Sequence, residues 1–88
     1  MDFAETIYKG KSITDLKRII LMLEDECEPL GVFCVCKKKS GKFLYEIMSA
    51  RQLLKDRNEG LYTVYGVAAG KREAFEVVKA ILEDTNEF

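Results

Sequence analysis

Between Val32 and Met48 the chain carries apolar residues on both sides of a strand pair, and that two-sidedness limits the fold more than any other feature. Val32 to Lys38 and Lys42 to Met48 are rich in β-branched and aromatic residues and flank Ser40-Gly41, where glycine can supply the positive φ of a tight reversal. The pattern predicts a β-hairpin. With a two-residue loop, Cys36 faces Tyr45 and Cys34 faces Ile47, so one face carries Val32, Cys34, Cys36, Phe43, Tyr45 and Ile47. The other carries Phe33, Val35, Leu44 and Met48, with Lys37 and Glu46 among them. A sheet wetted on one side alternates between apolar and polar residues. This one does not, so something is expected to cover its second face.

Helices are placed by their capping residues and their periodicity. Ser12 followed by Asp15 reads as an N-terminal capping signal, and Ile13, Leu16, Ile19, Ile20, Leu23 and Cys27 recur at helical spacing. Leu21 and Met22 widen that stripe, and Pro29 and Gly31 end the helix near Cys27. Its last turn carries acids, which the helix dipole disfavours. Ser49 can cap a short helix through Ala50, Leu53, Leu54 and Arg57, stopped by Asn58-Glu59-Gly60. A third strand runs from Leu61 to Val67. Gly70 then precedes an amphipathic helix in which Ala74, Val77, Val78, Ile81 and Leu82 share a face. Residues 3 to 8 alternate too weakly to distinguish an edge strand from irregular chain, and the tail from Asp84 to Phe88 is expected to fray.

The expected fold is therefore α+β, in the order helix, strand, strand, short helix, strand, helix. A small sheet of three or four strands would carry the two long helices on one face, with strand order left open. At 88 residues, of which 48% are hydrophobic and 33% charged, residues 1–88 suit one domain and have no room for a second core.

The chain has no histidine, which removes the usual general base, the commonest metal ligand and the near-neutral pH switch together. Its three cysteines, Cys27, Cys34 and Cys36, cannot all pair, and without histidine they cannot complete a four-ligand zinc site. Cys34 and Cys36 fall on an apolar strand face, where free cysteine packs as a small hydrophobe. Neither a metal nor a cofactor is expected. The residues from Met1 to Glu5 lack the basic and apolar runs of a signal peptide, and no apolar stretch is long enough to cross a bilayer, so a cytoplasmic protein is expected.

Fourteen basic and fifteen acidic residues leave a net charge of −1, with no global field favouring nucleic acid or an anionic membrane. The charge is nevertheless clustered. Glu24, Asp25, Glu26 and Glu28 form an acidic block and Lys37, Lys38, Lys39 and Lys42 a basic one; such blocks read first as solvated surface and second as docking footprints.

Three functions fit these features. The leading one is a non-catalytic protein-interaction module of the adaptor or inhibitor kind. It would bind a protein partner, or a second copy of itself as a homodimer, through Phe33, Val35, Leu44, Met48 and Tyr62. The second is capture of a small anion or nucleotide at Gly70, Lys71 and Arg72, where a strand passes through small residues into a helix with a basic first turn. This is not a Walker loop, since its glycines are one residue too close and Arg72 occupies the hydroxyl position. The third is single-stranded RNA binding by Lys37, Lys38, Lys39 and Lys42 beside hairpin aromatics, without the full RNP pattern. Catalysis is least supported. Its only nucleophiles would be the cysteines, and the carboxylate pairs Glu73/Glu76 and Asp25/Glu28 read as surface helix positions.

Overall fold

The computed structural model describes residues 1–40, 44–55 and 60–85. Its elements are β1 (Asp2–Lys9), α1 (Leu16–Glu24), β2 (Val32–Lys38), β3 (Glu46–Ser49), α2 (Ala50–Leu53), β4 (Tyr62–Ala69) and α3 (Lys71–Thr85). The strands form one mixed sheet in the order β1-β4-β2-β3, and the α+β class is the one expected. β1 lies parallel to β4, while β2 runs antiparallel to both β4 and β3. The weak alternation of residues 3 to 8 has a local cause. β1 pairs with β4 at Asp2 and Phe3 and again at Tyr8 and Lys9, with a register shift between, so the residues in the middle are released from a strict two-residue period.

The hairpin register differs by one from the two-residue-loop expectation. Cys36 lies opposite Glu46, Val35 opposite Ile47 and Cys34 opposite Met48. A one-residue slip sends each side chain of a strand to the opposite face. Met48 therefore joins the cysteines, while Tyr45 and Ile47 pack with Phe33 and Val35. Gly41 of the expected turn and Lys42 and Phe43 of the expected second strand lie outside the described residues, as do Arg57 of the expected short helix, Asn58 and Glu59 of its expected stop and Asn86 to Phe88 of the tail. β4 carries an irregularity of its own. Val35 pairs with Gly66 but Cys36 pairs with Val64, which leaves Tyr65 as the extra residue of a bulge and lets Val64 and Val67 enter the same core.

Both faces of the sheet are covered by this polypeptide. On one, Leu23 of α1 and Ala50 and Leu53 of α2 close over Val32, Cys34, Cys36, Met48, Val64 and Val67. On the other, Ala74, Val77 and Ile81 of α3 pack on Val35 and Ala68, with Phe33 and Ile47 half-buried beside them. The expectation that the long helices share one face is corrected accordingly. A sheet that is apolar on both sides needs a helix on each, and the four-residue α2 is too short to be the second cover alone. Gly66 lets α3 approach, since a Cβ there would lie 2.7 Å from Val77 Cγ1.

α1 begins later and ends earlier than its apolar stripe suggests. Asp15, not Ser12, is the cap, its carboxylate accepting the Arg18 amide at 3.1 Å. At the other end the Cys27 amide donates to the Met22 carbonyl and the Glu26 amide to the Leu23 carbonyl, the paired bonds of a Schellman motif. Glu26 occupies the left-handed position of that motif, with φ 58°. Glycine is the residue that adopts this geometry without strain. A left-handed non-glycine residue costs about 1–2 kcal/mol, and glycine returns roughly half of that in unfolded-chain entropy. Glu26→Gly should therefore raise stability by about 0.5–1 kcal/mol, read as a higher urea midpoint at unchanged slope. A lowered midpoint would mean that the Glu26 side chain contributes more than its backbone conformation costs.

Candidate functional site

The neighbouring parallel strands β1 and β4 send the chain to opposite faces of the sheet, β1 into α1 and β4 into α3. Such a switch of direction opens a crevice outside the carboxyl ends of the strands, which is where open sheets commonly bind ligands. Here the inner part of the crevice is filled by the protein itself. Glu73, in the first turn of α3, accepts the Ala69 amide on Oε2 at 2.7 Å and the Ser12 amide on Oε1 at 3.1 Å. The side chain is 9% exposed. A Cβ at Gly10 would fall within the space of the Glu73 carboxyl group, so that position accommodates only glycine without a rearrangement. Bonding to the charged form favours it. The Ala69 amide first, and then Ser12, hold the Glu73 carboxyl below the usual carboxylate range.

The loop between β1 and α1 is fastened at further points. The Gly10 amide donates to the Val67 carbonyl, the Ile13 amide to the Gly10 carbonyl, and Lys9 Nζ to the Ile13 carbonyl. This loop forms one wall of a cleft of about 510 Å³. α1 contributes Arg18, Ile19 and Met22, and the segment before β2 contributes Glu28, Pro29 and Leu30. Ile13, Pro29 and Val32 are buried in the cleft lining, whereas Leu30 is 86% exposed at its lip. That exposure follows from local geometry. The Val32 amide donates to the Pro29 carbonyl, and Gly31 at φ 74° supplies the positive dihedral of a tight turn, so Leu30 sits at the corner. The ionisable lining residues are Asp15, Arg18 and Glu28. The arrangement suits an apolar side chain held between α1 and Leu30, with charged groups around it.

The residues singled out for a sheet-face docking surface do not form one. Val35 is fully buried and Phe33 half-buried under α3, whereas Met48 and Tyr62 lie in the opposite core. Leu44 alone is open, 82% exposed just before β3. The register slip and the helix on each face account for this separation.

Gly70, Lys71 and Arg72 do stand together at the start of α3, but the adjoining Ala69 and Ser12 amides are held by Glu73. The chain's own carboxylate sits where an anion would be drawn. Glu73 is thus a buried fastening residue, not the surface helix position its spacing suggested.

The basic patch is largely engaged within the molecule. The Lys37 ammonium lies 4.4 Å from the Tyr45 ring centroid and 5.6 Å from that of Tyr65, and these rings meet edge to face at 5.4 Å. Lys39 pairs with Asp2. Lys38 is exposed, and Lys42 lies outside the described residues.

Cys34 and Cys36 are fully buried on the α1 face, and burial pushes the Cys34 thiol up to about 12 and raises Cys36 further. Cys27 is exposed. Among the described residues no cluster of three or more potential ligands could hold a metal ion, and no helix is long and apolar enough to cross a membrane. No protein-family model matches the chain, and neither does any curated protein or solved structure at a significant level.

Two measurements check this geometry. Native protein should react with a thiol reagent at Cys27 and only slowly at Cys34 and Cys36, with all three cysteines becoming reactive in denaturant. Fast native labelling of Cys34 or Cys36 would contradict their packing. A depressed carboxyl pKa stabilises the fold above the unfolded-state value, near 4.5, and that contribution disappears as pH falls through the folded-state value. Glu73→Gln also aims an amide N–H₂ at a backbone donor. The variant should be less stable than wild type at neutral pH, and the difference should shrink below about pH 4.5 in urea melts; a pH-independent difference would rule out the ionised clamp.

Proposed function

We propose that this protein is a non-catalytic interaction module whose docking surface is the cleft between α1 and the Pro29–Val32 turn. One observation carries the reading. With both sheet faces covered, the apolar cleft retains an almost fully exposed leucine at its lip. Large apolar side chains beside a concave apolar floor are the usual anchors of protein recognition. Glu28 lines the cleft with Asp15 and Arg18, and Glu24, Asp25 and Glu26 are exposed in the chain just before it, an acidic excess that favours a partner presenting an apolar residue flanked by basic ones.

The wall formed by the β1–α1 loop is held in place by several hydrogen bonds, so little ordering is needed when a partner binds. A small chain with such a cleft is suited to act as an adaptor or inhibitor. A cytoplasmic setting agrees with the free thiols of Cys34 and Cys36 within its core. The anion-binding reading is weakened by Glu73, and the RNA reading by the engagement of Lys37 and Lys39.

Selection from a displayed peptide library tests the proposal. Enriched peptides should share an apolar residue next to Lys or Arg and should shift the amide signals of Ile19, Met22, Leu30 and Val32. Leu30→Asp should weaken their binding more than about tenfold. The same substitution should change stability by no more than about 0.5 kcal/mol, because the side chain is exposed. If no peptide is enriched, or if shifts appear elsewhere, the cleft is not the docking surface.

A further inference from the structure

We infer that α3 is the contact surface between two copies of this chain, paired antiparallel about a twofold axis at Val78. The surface is separate from the cleft, which α1 lines on the other side of the sheet. α3 carries more apolar side chains than its own sheet buries. Ala74, Val77 and Ile81 enter the core, whereas Phe75, Val78 and Leu82 recur at the i, i+3, i+7 spacing of a second stripe. Val78 and Leu82 are half-buried and Phe75 is 59% exposed. The direction of that stripe follows from the other flank of the helix. Tyr8 of β1 donates to Asp84 at 3.0 Å, which marks the flank turned toward β1. At about 3.6 residues per turn Phe75 and Leu82 lie roughly opposite Asp84 around the helix. The stripe is therefore turned toward β3, the far edge of the sheet, where Ile47 is half-buried beside the same core.

The charges along this stripe select what can lie against it. α3 opens with Lys71 and Arg72 and closes with Glu83 and Asp84, with Glu76 and Lys79 between them. Arg72, Glu76, Lys79 and Glu83 are exposed, and no side-chain hydrogen bond or ion pair among the described residues engages them. A helix of one charge sign would match only one end of α3. A second α3 laid antiparallel matches both. With Val78 opposite its own counterpart, Phe75 of each copy meets Leu82 of the other, Arg72 meets Glu83 and Glu76 meets Lys79, and every contact occurs twice. One register thus satisfies the apolar and the charged residues together, and the helix dipoles oppose each other. A parallel pairing would instead set Arg72 against Arg72 and Glu83 against Glu83, which like-charge repulsion disfavours. A twofold contact closes on itself, so the assembly stops at two copies.

Sedimentation equilibrium on the full chain tests the inference. Wild type should show a monomer–dimer equilibrium with no larger species. Phe75→Asp should weaken dimerisation more than about tenfold while urea melts show a folded monomer, because the side chain is largely outside the core. Arg72→Glu and Glu83→Arg should each weaken dimerisation about tenfold, since each replaces two attractive contacts by two repulsive ones. An equimolar mixture of these two variants should form a heterodimer of near wild-type affinity, because each altered residue then faces its opposite charge. A wild type that stays monomeric at about 1 mM overturns the inference. A dimer that tolerates Phe75→Asp, or charge variants that do not recover on mixing, also overturns it.

Discussion

The Glu73 carboxylate is the fastening on which the arrangement of the other elements depends. It joins the first turn of α3 to the end of β4 through Ala69 and to the loop after β1 through Ser12. Parallel neighbours whose chains leave toward opposite faces expose converging amides at their carboxyl ends, and in many sheets a ligand anion satisfies them. In this protein a glutamate does so, and Gly10 leaves the space it needs. The consequence extends beyond the loop. With α3 anchored at its start, its apolar face lies along Val35 and Ala68, and the sheet side that would otherwise have remained open is closed. Among the large apolar side chains that stay exposed, Leu30 lies beyond one end of the strands and Leu44 and Leu61 toward the other, while Leu21 and Phe75 lie on α1 and α3.

Local signals were legible in the sequence, and non-local ones were not. The α3 face through Ala74, Val77 and Ile81 and the Ser49 cap, whose hydroxyl accepts the Gln52 amide, follow from residues a few positions apart. The hairpin could be located, but its register depends on the length of the turn, and one residue sufficed to exchange the surroundings of Met48 and Ile47. The bulge at Tyr65 likewise changes the parity of β4 with no compositional mark. Glu73 and Ser12 are 61 positions apart, beyond any periodicity argument. The cleft did leave a trace. A leucine between Pro29 and Gly31 is an apolar residue at a turn corner, but by local pattern the two flanking residues signal no more than a helix stop.

The two sides of the sheet are sealed to different degrees. α3 is fifteen residues long and rests on β4, β2 and β3. α1 has nine residues and fully buries only Leu23, while Ile19, Ile20 and Met22 are half-buried and Leu21 is 51% exposed. A helix that short has little stability of its own. Its capping at Asp15 and its Schellman closure therefore matter more than they would in a longer helix. The least buried helix is also the one that lines the cleft, so the proposed docking surface would be drawn from a less stabilised part of the fold.

The segment from Glu24 to Leu30 gathers several features that work against stability. Glu24, Asp25 and Glu26 stand at the negative end of the α1 dipole, Glu26 holds a left-handed backbone, and Leu30 remains in solvent. Each alone is commonplace, because an exposed leucine needs no explanation and surface charge is cheap to tolerate. Their concentration in one short segment, which runs into the cleft wall at Glu28, Pro29 and Leu30, is different in kind. Lysine in place of the acids, glycine at position 26 and a polar residue at position 30 would each relieve a local conflict without disturbing the core. Where local preference and the observed residue disagree repeatedly in one place, a requirement other than folding is the economical explanation. The proposed docking role would be such a requirement: the acids of this segment would steer a basic partner and the exposed Leu30 would anchor it.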